Sequence, residues 1–446
     1  MTDRRTLEEW GPEQVRVCAA KLARCISATD LTMDRAIFGQ VIKPAPGSVL
    51  ASPSVSFEPG EPDYFFHWVR DAATVMDAVR ILAKAGEQTA DWRDLFNEYV
   101  QFNLDLRKID GPRFLENSDF REKTLPEWRQ YLRPNEEIAA LHGKEIAGDA
   151  RYNADGSLDF ILWNRPQFDG PAARALVSMR FEEDGIRIPE KAKSLLTELI
   201  NCDLTCLTKI AGHSCYDIWE EEYARHYYTK LLQVAALEKG AARAKRNGKA
   251  ADAGFFENKA KELRKALDGF WSPELSFYRS RIPGPGVESP KALDFAVILG
   301  VLHAGFETGA HSAVDERVLF TFKKLEQLFT AEYAINSGGG HGIMFGRYKG
   351  DTYVSGGAYY FSTFGAAEFY YRAAAETPSH KEALIERGDA VLNRVREFIP
   401  ESGHLSEQFD RTTGAQTSAK DLSWSYACFI TAWAARRKAL GQGGLG

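Results

Sequence analysis

The feature that most restricts this chain is a helical hydrophobic period recurring from end to end, with almost no strand-like alternation beside it. Phe256, Ala260, Leu263, Leu267 and Phe270 fall on one stripe, as do Leu384, Val391, Val395 and Phe398, with charged residues opposite. Tyr223, Tyr227, Leu231 and Val234 make a third. The spacing predicts about twelve helices, over roughly 13–28, 69–85, 92–106, 170–182, 188–210, 219–240, 250–270, 291–304, 314–330, 358–377, 380–399 and 420–438. Helices that follow one another without strands between them bury their stripes against each other. No Pro/Ser/Thr-rich linker breaks the series, so one all-α catalytic domain over residues 1–446 is expected.

The segments between helices are not uniform. Long irregular stretches, at about 34–66, 107–168 and 331–357, carry Gly, Pro, Asn and Asp, and loops this long in a compact protein usually have a function. PDYFFHWVRD (62–71) precedes the second helix, WNRPQFDGP (163–171) the fourth, and YDIWEE (216–221) opens the sixth. Asp294 lies near the start of the eighth, GDTYVSGGAYYF (350–361) leads into the tenth, and LSEQFD (405–410) stands before the twelfth. Every second helix is thus entered through aromatic, carboxylate and Arg groups. If alternate helices run parallel as an inner ring, six entry loops converge on one pocket.

Composition narrows the ligand. A net charge of −6 provides no basic field for nucleic acid or an anionic membrane, and no apolar window is long enough to span a bilayer. The opening MTDRRTLEEW is charged and lacks a secretory apolar stretch, which favours a cytoplasmic protein, or a periplasmic or secreted one if a signal peptide has been removed. Six cysteines, Cys18, Cys25, Cys202, Cys206, Cys215 and Cys428, are too few to require a disulfide framework. Cys202, Cys206 and Cys215 lack a fourth ligand at zinc spacing, so no metal and no cofactor are expected. Ser337-Gly338-Gly339-Gly340-His341-Gly342 has neither the spacing of a dinucleotide fingerprint nor a phosphate-loop Lys and reads as a flexible turn. Aromatic residues make up 12% of the chain, suiting both sugar-ring stacking and a well-packed core.

A pocket dense in Trp, Tyr, Asp, Glu and Arg suits a neutral polyhydroxylated ligand. Breaking a glycosidic bond needs two carboxyl groups flanking the scissile carbon. The candidates are Glu220 or Glu221, and Glu407; a Glu beside Trp219 has a plausible setting for a general acid. Glu220 and Glu221 would equally serve as first-turn helix acids, and Glu407 as a solvated loop acid. Arg70 and Asp71 could be a structural ion pair, and Trp68, Trp163 and Trp424 core residues.

Jointly, these clusters resemble glycoside hydrolase family 15, in particular the fungal glucoamylase type. PDYFFHWVRD is similar to the family's substrate-binding loop, WNRPQFDGP to its Trp-Gly-Arg-Pro-Gln-x-Asp-Gly-Pro segment, YDIWEE to Tyr-Asp-Leu-Trp-Glu-Glu, and SEQFD to Ser-Glu-Gln-Tyr-Asp. GRYKGDTY (346–353) and SAKDLSWSYA (418–427) continue the agreement. The resemblance implies an (α/α)6 toroid of six inner and six outer helices, acting as a monomer on α-glucans without a cofactor. It implies Glu220 as general acid and Glu407 as general base in an inverting, exo-acting release of β-D-glucose, with the carboxyl groups about 6.5–9.5 Å apart. Arg70 and Asp71 would grip the terminal glucose, Tyr64 would lie beside the developing cation, and Glu221 would bind the next sugar. Trp163 would stack at the pocket wall and Trp424 near the base. Trp68, Arg165, Trp219, Asp294 and Tyr359 are the other implied substrate-binding residues.

Departures cluster at the outer pocket. An Arg that contacts the second sugar in fungal enzymes is missing from Ser289-Pro290-Lys291-Ala292-Leu293-Asp294, or supplied by another residue. Gly-Asn-Pro-Trp has become Gly356-Gly357-Ala358-Tyr359, and the Gly of Trp-Gly-Arg-Pro is Asn164. Chain-length and α-1,4 against α-1,6 preference are therefore open, and an isomaltose-, dextran- or trehalose-directed hydrolase on the same scaffold is the alternative. A non-catalytic carbohydrate-binding toroid and an inverting phosphorylase are more distant ones. With no starch-binding module after the last helix, weak binding to granular starch is expected.

Overall fold

The computed structural model describes residues 5–56, 61–284, 286–338 and 342–445. Among them, twelve helices of nine residues or more follow the predicted order: α1 (Leu7–Cys25), α2 (Val69–Ala85), α3 (Trp92–Leu106), α4 (Gly170–Glu183), α5 (Glu190–Ile210), α6 (Tyr227–Arg246), α7 (Ala250–Leu267), α8 (Ala296–Ala304), α9 (Glu316–Glu332), α10 (Tyr360–Glu376), α11 (Lys381–Val395) and α12 (Ser423–Ala439). The first begins earlier than predicted because Thr6 and Glu9 form a reciprocal capping box ahead of Pro12. The sixth begins later, at Tyr227, because 215–226 form a hairpin. The irregular stretch 107–168 contains three short helices, Gly111–Asn117, Phe120–Lys123 and Asn135–Ala139. Of the glycine run at 337–342, residues 339–341 lie outside the described residues.

Even-numbered helices form an inner ring: α2 packs on α4, α4 on α6, α6 on α8, α8 on α10, α10 on α12, and α12 closes on α2. Their burial differs in kind from that of the outer helices. Tyr227 to Leu237 of α6 are buried without a break, as are Tyr360 to Tyr371 of α10. Outer α7 buries only Ala253, Ala260, Leu263 and Leu267, one stripe at helical spacing. Close approach within the ring uses small residues. A Cβ on Gly300 would stand 3.3 Å from the Tyr228 backbone, so α8 can lie directly against α6. Outer α3 meets inner α4 through Phe96 stacked on Phe181 at 3.6 Å; truncating either ring would cost about 3–5 kcal/mol.

The ring has two chemically different ends. At the C-terminal end, arginines satisfy helix carbonyls: Arg180 donates to the His303 and Ala304 oxygens, and Arg372 to that of Leu302. At the N-terminal end, short strands join the six entry loops. Phe66–Trp68 pairs with Arg151–Asn153, Tyr223–His226 with Arg281–Ile282, and Ala358–Tyr359 with Gln408–Phe409. Single contacts join these three pairs: Tyr216 N–H to the Pro166 oxygen at 2.9 Å, the Asp294–Tyr348 bridge, and Ser423 N–H to the Ala51 oxygen at 2.8 Å. The loops thus form a hydrogen-bonded crown over the inner helices.

Candidate active site

The crown brings carboxylates and aromatic rings together in a dense polar shell. Glu220 sits on the turn of the hairpin 215–226, not in a helix, so the first-turn reading is corrected. Asp217 builds that turn: its carboxylate accepts the N–H groups of Glu221 (2.7 Å) and Glu222 (2.9 Å), and its carbonyl that of Glu220 (2.9 Å). Glu220 has φ +64°, a left-handed conformation that a glutamate adopts at a cost of order 1–3 kcal/mol. The turn projects its carboxylate into four donors. Oε1 accepts from Trp68 Nε1 (2.8 Å), Gln167 Nε2 (2.8 Å) and Arg70 Nη2 (3.4 Å); Oε2 accepts from Trp163 Nε1 alone (2.5 Å).

Arg70, on the first turn of α2, is oriented by Gln167 Oε1 (2.9 Å) and Asp169 (3.2 Å), and its guanidinium stands 5.9 Å over the Trp424 ring. Asp71 Oδ2 lies 3.4 Å from Arg70 Nη2, yet it accepts no aligned hydrogen bond. Burial pushes Asp71 up to about 6, against the pull of Arg70. A buried carboxylate oxygen and a buried guanidinium Nε without partners are the groups a hydroxylated ligand would satisfy. Trp219, Phe361 and Trp424 stack into a slab, Phe361 on Trp424 at 4.5 Å and Trp219 on Phe361 at 5.9 Å.

Glu407 occupies the sixth loop. Ser418 Oγ donates to its Oε2, and its N–H is held by the Ala419 oxygen at 2.8 Å. Burial pushes its carboxyl up to about 7; the Ser418 hydrogen bond and Arg347 oppose the rise, and Asp71 and Asp351 add to it. The hydroxyls of Tyr64 and Tyr353 are 2.8 Å apart, and both tyrosines are raised by burial and then by the charges of Glu407 and Glu220.

Glu221 points to another group of partners: Lys291 Nζ (2.5 Å), Arg347 Nη2 (2.9 Å) and the Tyr348 hydroxyl (2.5 Å). An Arg was expected to be missing here or supplied from elsewhere; Arg347 stands beside Glu221, fixed by two 2.6 Å bonds to Asp351. Three expected substrate-binding residues are bonded within the crown. Asp294 is wholly buried, held by Arg281, the Trp219 indole (3.0 Å) and Ala296 N–H (2.7 Å). Tyr359 is wholly buried between Gln408 and Asp351, and Arg165 is held by Asp149 and Asp159. The polar side-chain atoms of each are bonded to protein partners. Gln167, Asp169, Arg347, Asp351, Tyr353 and Ser418 are site groups that sequence reasoning did not single out, although all lie in motifs it noted. Among the described residues, no group of three or more His, Cys, Asp or Glu side chains could hold a metal ion. All six cysteines are free thiols.

An (α/α)6 toroid carrying acids, arginines and a tryptophan slab on the crown of its inner ring defines a class of carbohydrate-active enzyme. The family model for "Glycosyl hydrolases family 15" matches residues 35–107, 147–385 and 374–434. The chain belongs to that family and is a glycoside hydrolase of the glucoamylase type. It is 28% identical to a glucoamylase of Blastobotrys adeninivorans, over 89% of this chain and 68% of that protein. It is 27% identical to a probable glucoamylase of Schizosaccharomyces pombe, over 96% and 91%. Among solved structures, Hormoconis resinae glucoamylase superposes with a TM-score of 0.77 at 25% identity, over 98% of this chain and 74% of that one. A Saccharomycopsis fibuligera glucoamylase superposes with 0.79 at 22% identity, over 99% and 98%. Its substrate class is the α-glucans. No described helix is long and apolar enough to cross a membrane.

Proposed function

We propose that this enzyme releases β-D-glucose from the non-reducing ends of α-1,4-linked glucans, and more slowly from α-1,6 linkages, by a single inverting displacement. Glu220 gives its proton to the glycosidic oxygen. Its Oε2 suits this task, because Oε1 already takes three donors while Oε2 takes one and has room for a proton and the leaving oxygen. As the bond to the leaving oxygen breaks, water attacks the anomeric carbon from the opposite face and Glu407 accepts its proton. Tyr64, packed edge-on against Trp68, which bonds Glu220, faces the developing positive charge. Arg70 and Asp71 bind the terminal glucose hydroxyls over the Trp424 ring, and Trp163 walls the pocket beside the acid. The observation that carries this reading is that the crown holds Glu220 among the side chains of Trp68, Trp163, Gln167 and Arg70, and buries a second carboxyl, Glu407, on its sixth loop.

Lys291, Arg347 and Tyr348 clamp Glu221, the residue assigned to the next sugar, so the outer side is strongly preorganised. Relative rates on maltose, isomaltose and trehalose separate the linkages. The protein is read as a single catalytic domain and a monomer; six free thiols, five of them buried, suit the cytoplasmic reading. The deciding experiment follows the product anomer from maltotriose by proton NMR during the first minutes. Initial β-glucose is expected, and initial α-glucose would overturn the assignment of acid and base.

A further inference from the structure

The family match stops at residue 107 and resumes at 147. That segment is ordered around a small core of its own, in which Phe120, Leu132, Ile138 and Leu141 pack with Phe38, Leu158 and Phe160. On its outside the turn 125–131 is exposed throughout. It presents Trp128 at 37% exposure and Tyr131 at 48%, their ring centroids 5.5 Å apart, with Leu125 and Leu162 also exposed. Large exposed rings grouped on one rigid surface mark an interaction site.

The position of these rings identifies the occupant. The turn is joined to the segment carrying Trp163: Leu132 bridges Ile161, and Leu162 N–H donates to the Tyr131 oxygen at 2.7 Å. Below, Arg133 and Arg165 share Asp149, and Arg165 shares Asp159 with Arg151, whose guanidinium lies 3.7 Å from the Trp163 ring centre. Trp163 in turn bonds Glu220. The exposed rings are therefore the outer face of the same wall whose inner face bounds the pocket. Glu127 and Gln130, exposed on the same turn, supply polar groups among the rings, the mixture that hydroxylated sugar rings use.

We propose that Trp128 and Tyr131 form an accessory platform that holds another stretch of an α-glucan polymer whose non-reducing end enters the pocket. This rests on the proposed function for the identity of the polymer. The platform acts on long chains and leaves the hydrolysis of a trisaccharide unchanged.

The test compares wild type with the double variant Trp128→Ala/Tyr131→Ala, and with Glu220→Gln, by native electrophoresis in gels with and without soluble amylopectin. The expected result is retardation of wild type and Glu220→Gln, with the double variant at least about threefold less retarded. Its KM on amylopectin should rise about three- to tenfold while kcat/KM on maltotriose stays unchanged. A Tm matching wild type shows that the fold survives; if it falls, the single variant Tyr131→Phe, expected to keep retardation, and Tyr131→Ala, expected to lose it, replace the pair. Equal retardation of wild type and the ring-free variant overturns the platform. A wild type that sediments as a dimer, with a monomeric double variant, overturns it in favour of a protein contact. Failure of wild type to hydrolyse maltotriose strikes the proposed function instead, because retardation of Glu220→Gln is read without turnover.

Discussion

The two carboxylates proposed to share the reaction live in opposite surroundings. Glu220 is met by three side chains' nitrogens within 3 Å and a fourth at 3.4 Å, on a turn whose backbone is strained. Glu407 is buried with one hydroxyl donor, and burial pushes it up to about 7. One site is organised by donors and the other by desolvation. The contrast teaches that a matched pair of acids on opposite sides of a bond can be positioned by different physics: donors fix where Glu220 points, whereas low polarity sets how readily Glu407 takes a proton.

Replacing each acid should separate these two cases most sharply. Glu220→Gln and Glu407→Gln should each lower kcat on maltotriose by about 10²–10⁴-fold, the usual range for a general acid or base. Their stabilities should diverge. Glu407 has a folded pKa raised above its ordinary value of 4.5, so its ionisation destabilises the fold progressively between about pH 4.5 and 7 and fully above that. Glu407→Gln should therefore raise Tm at pH 8 and change it little at pH 4.5. Glu220→Gln keeps one acceptor oxygen but turns an NH2 donor toward indole, amide or guanidinium donors in place of the other, and should lower Tm at pH 8. Thermal melts of both variants at the two pH values check this; a lower Tm for Glu407→Gln at pH 8 would break the contrast.

Trp163→Phe keeps a ring at the wall and removes the donor on Oε2. A hydrogen bond to a charged group contributes about 1.5–3 kcal/mol, so kcat should fall about ten- to hundredfold, measured on maltotriose, with a smaller change in KM. Ser418→Ala removes the donor that opposes the rise at Glu407. The base must be ionised, so activity climbs as pH rises through its pKa; this acidic limb of kcat/KM should lie near pH 7 in wild type and move to higher pH in the variant. The smallest effect is expected from a chelator. EDTA should leave turnover unchanged, and a loss restored by one metal ion would count against the mechanism.

How much of this was legible in the sequence depends on the kind of contact involved. The helices at 69–85 and 92–106 are where the periodicity placed them, because a buried stripe at helical spacing needs only local residues to declare itself. The start at 219 failed because the Asp217 turn closes a hairpin whose second strand, Tyr223–His226, pairs with Arg281–Ile282 far along the chain. Asp294 and Tyr359 are implied as ligand contacts by the resemblance, and only the packing shows that both are wholly buried. The absence of a matching motif in 108–146 concealed an ordered segment with its own apolar core.

The amino-acid sequence by itself determined the alternation of helices, the polar entry loops and the order of the motifs, since each follows from neighbours a few residues apart. Tertiary structure alone decided that Glu220 leaves the helix and meets Trp68, Gln167 and Trp163, and that Glu407 becomes buried beside Ser418. It also decided that Glu221 is clamped by Lys291, Arg347 and Tyr348. The physical reason is that hydrogen bonding and desolvation belong to groups brought together by the closed crown, and loop closure over such separations leaves no local mark on the chain.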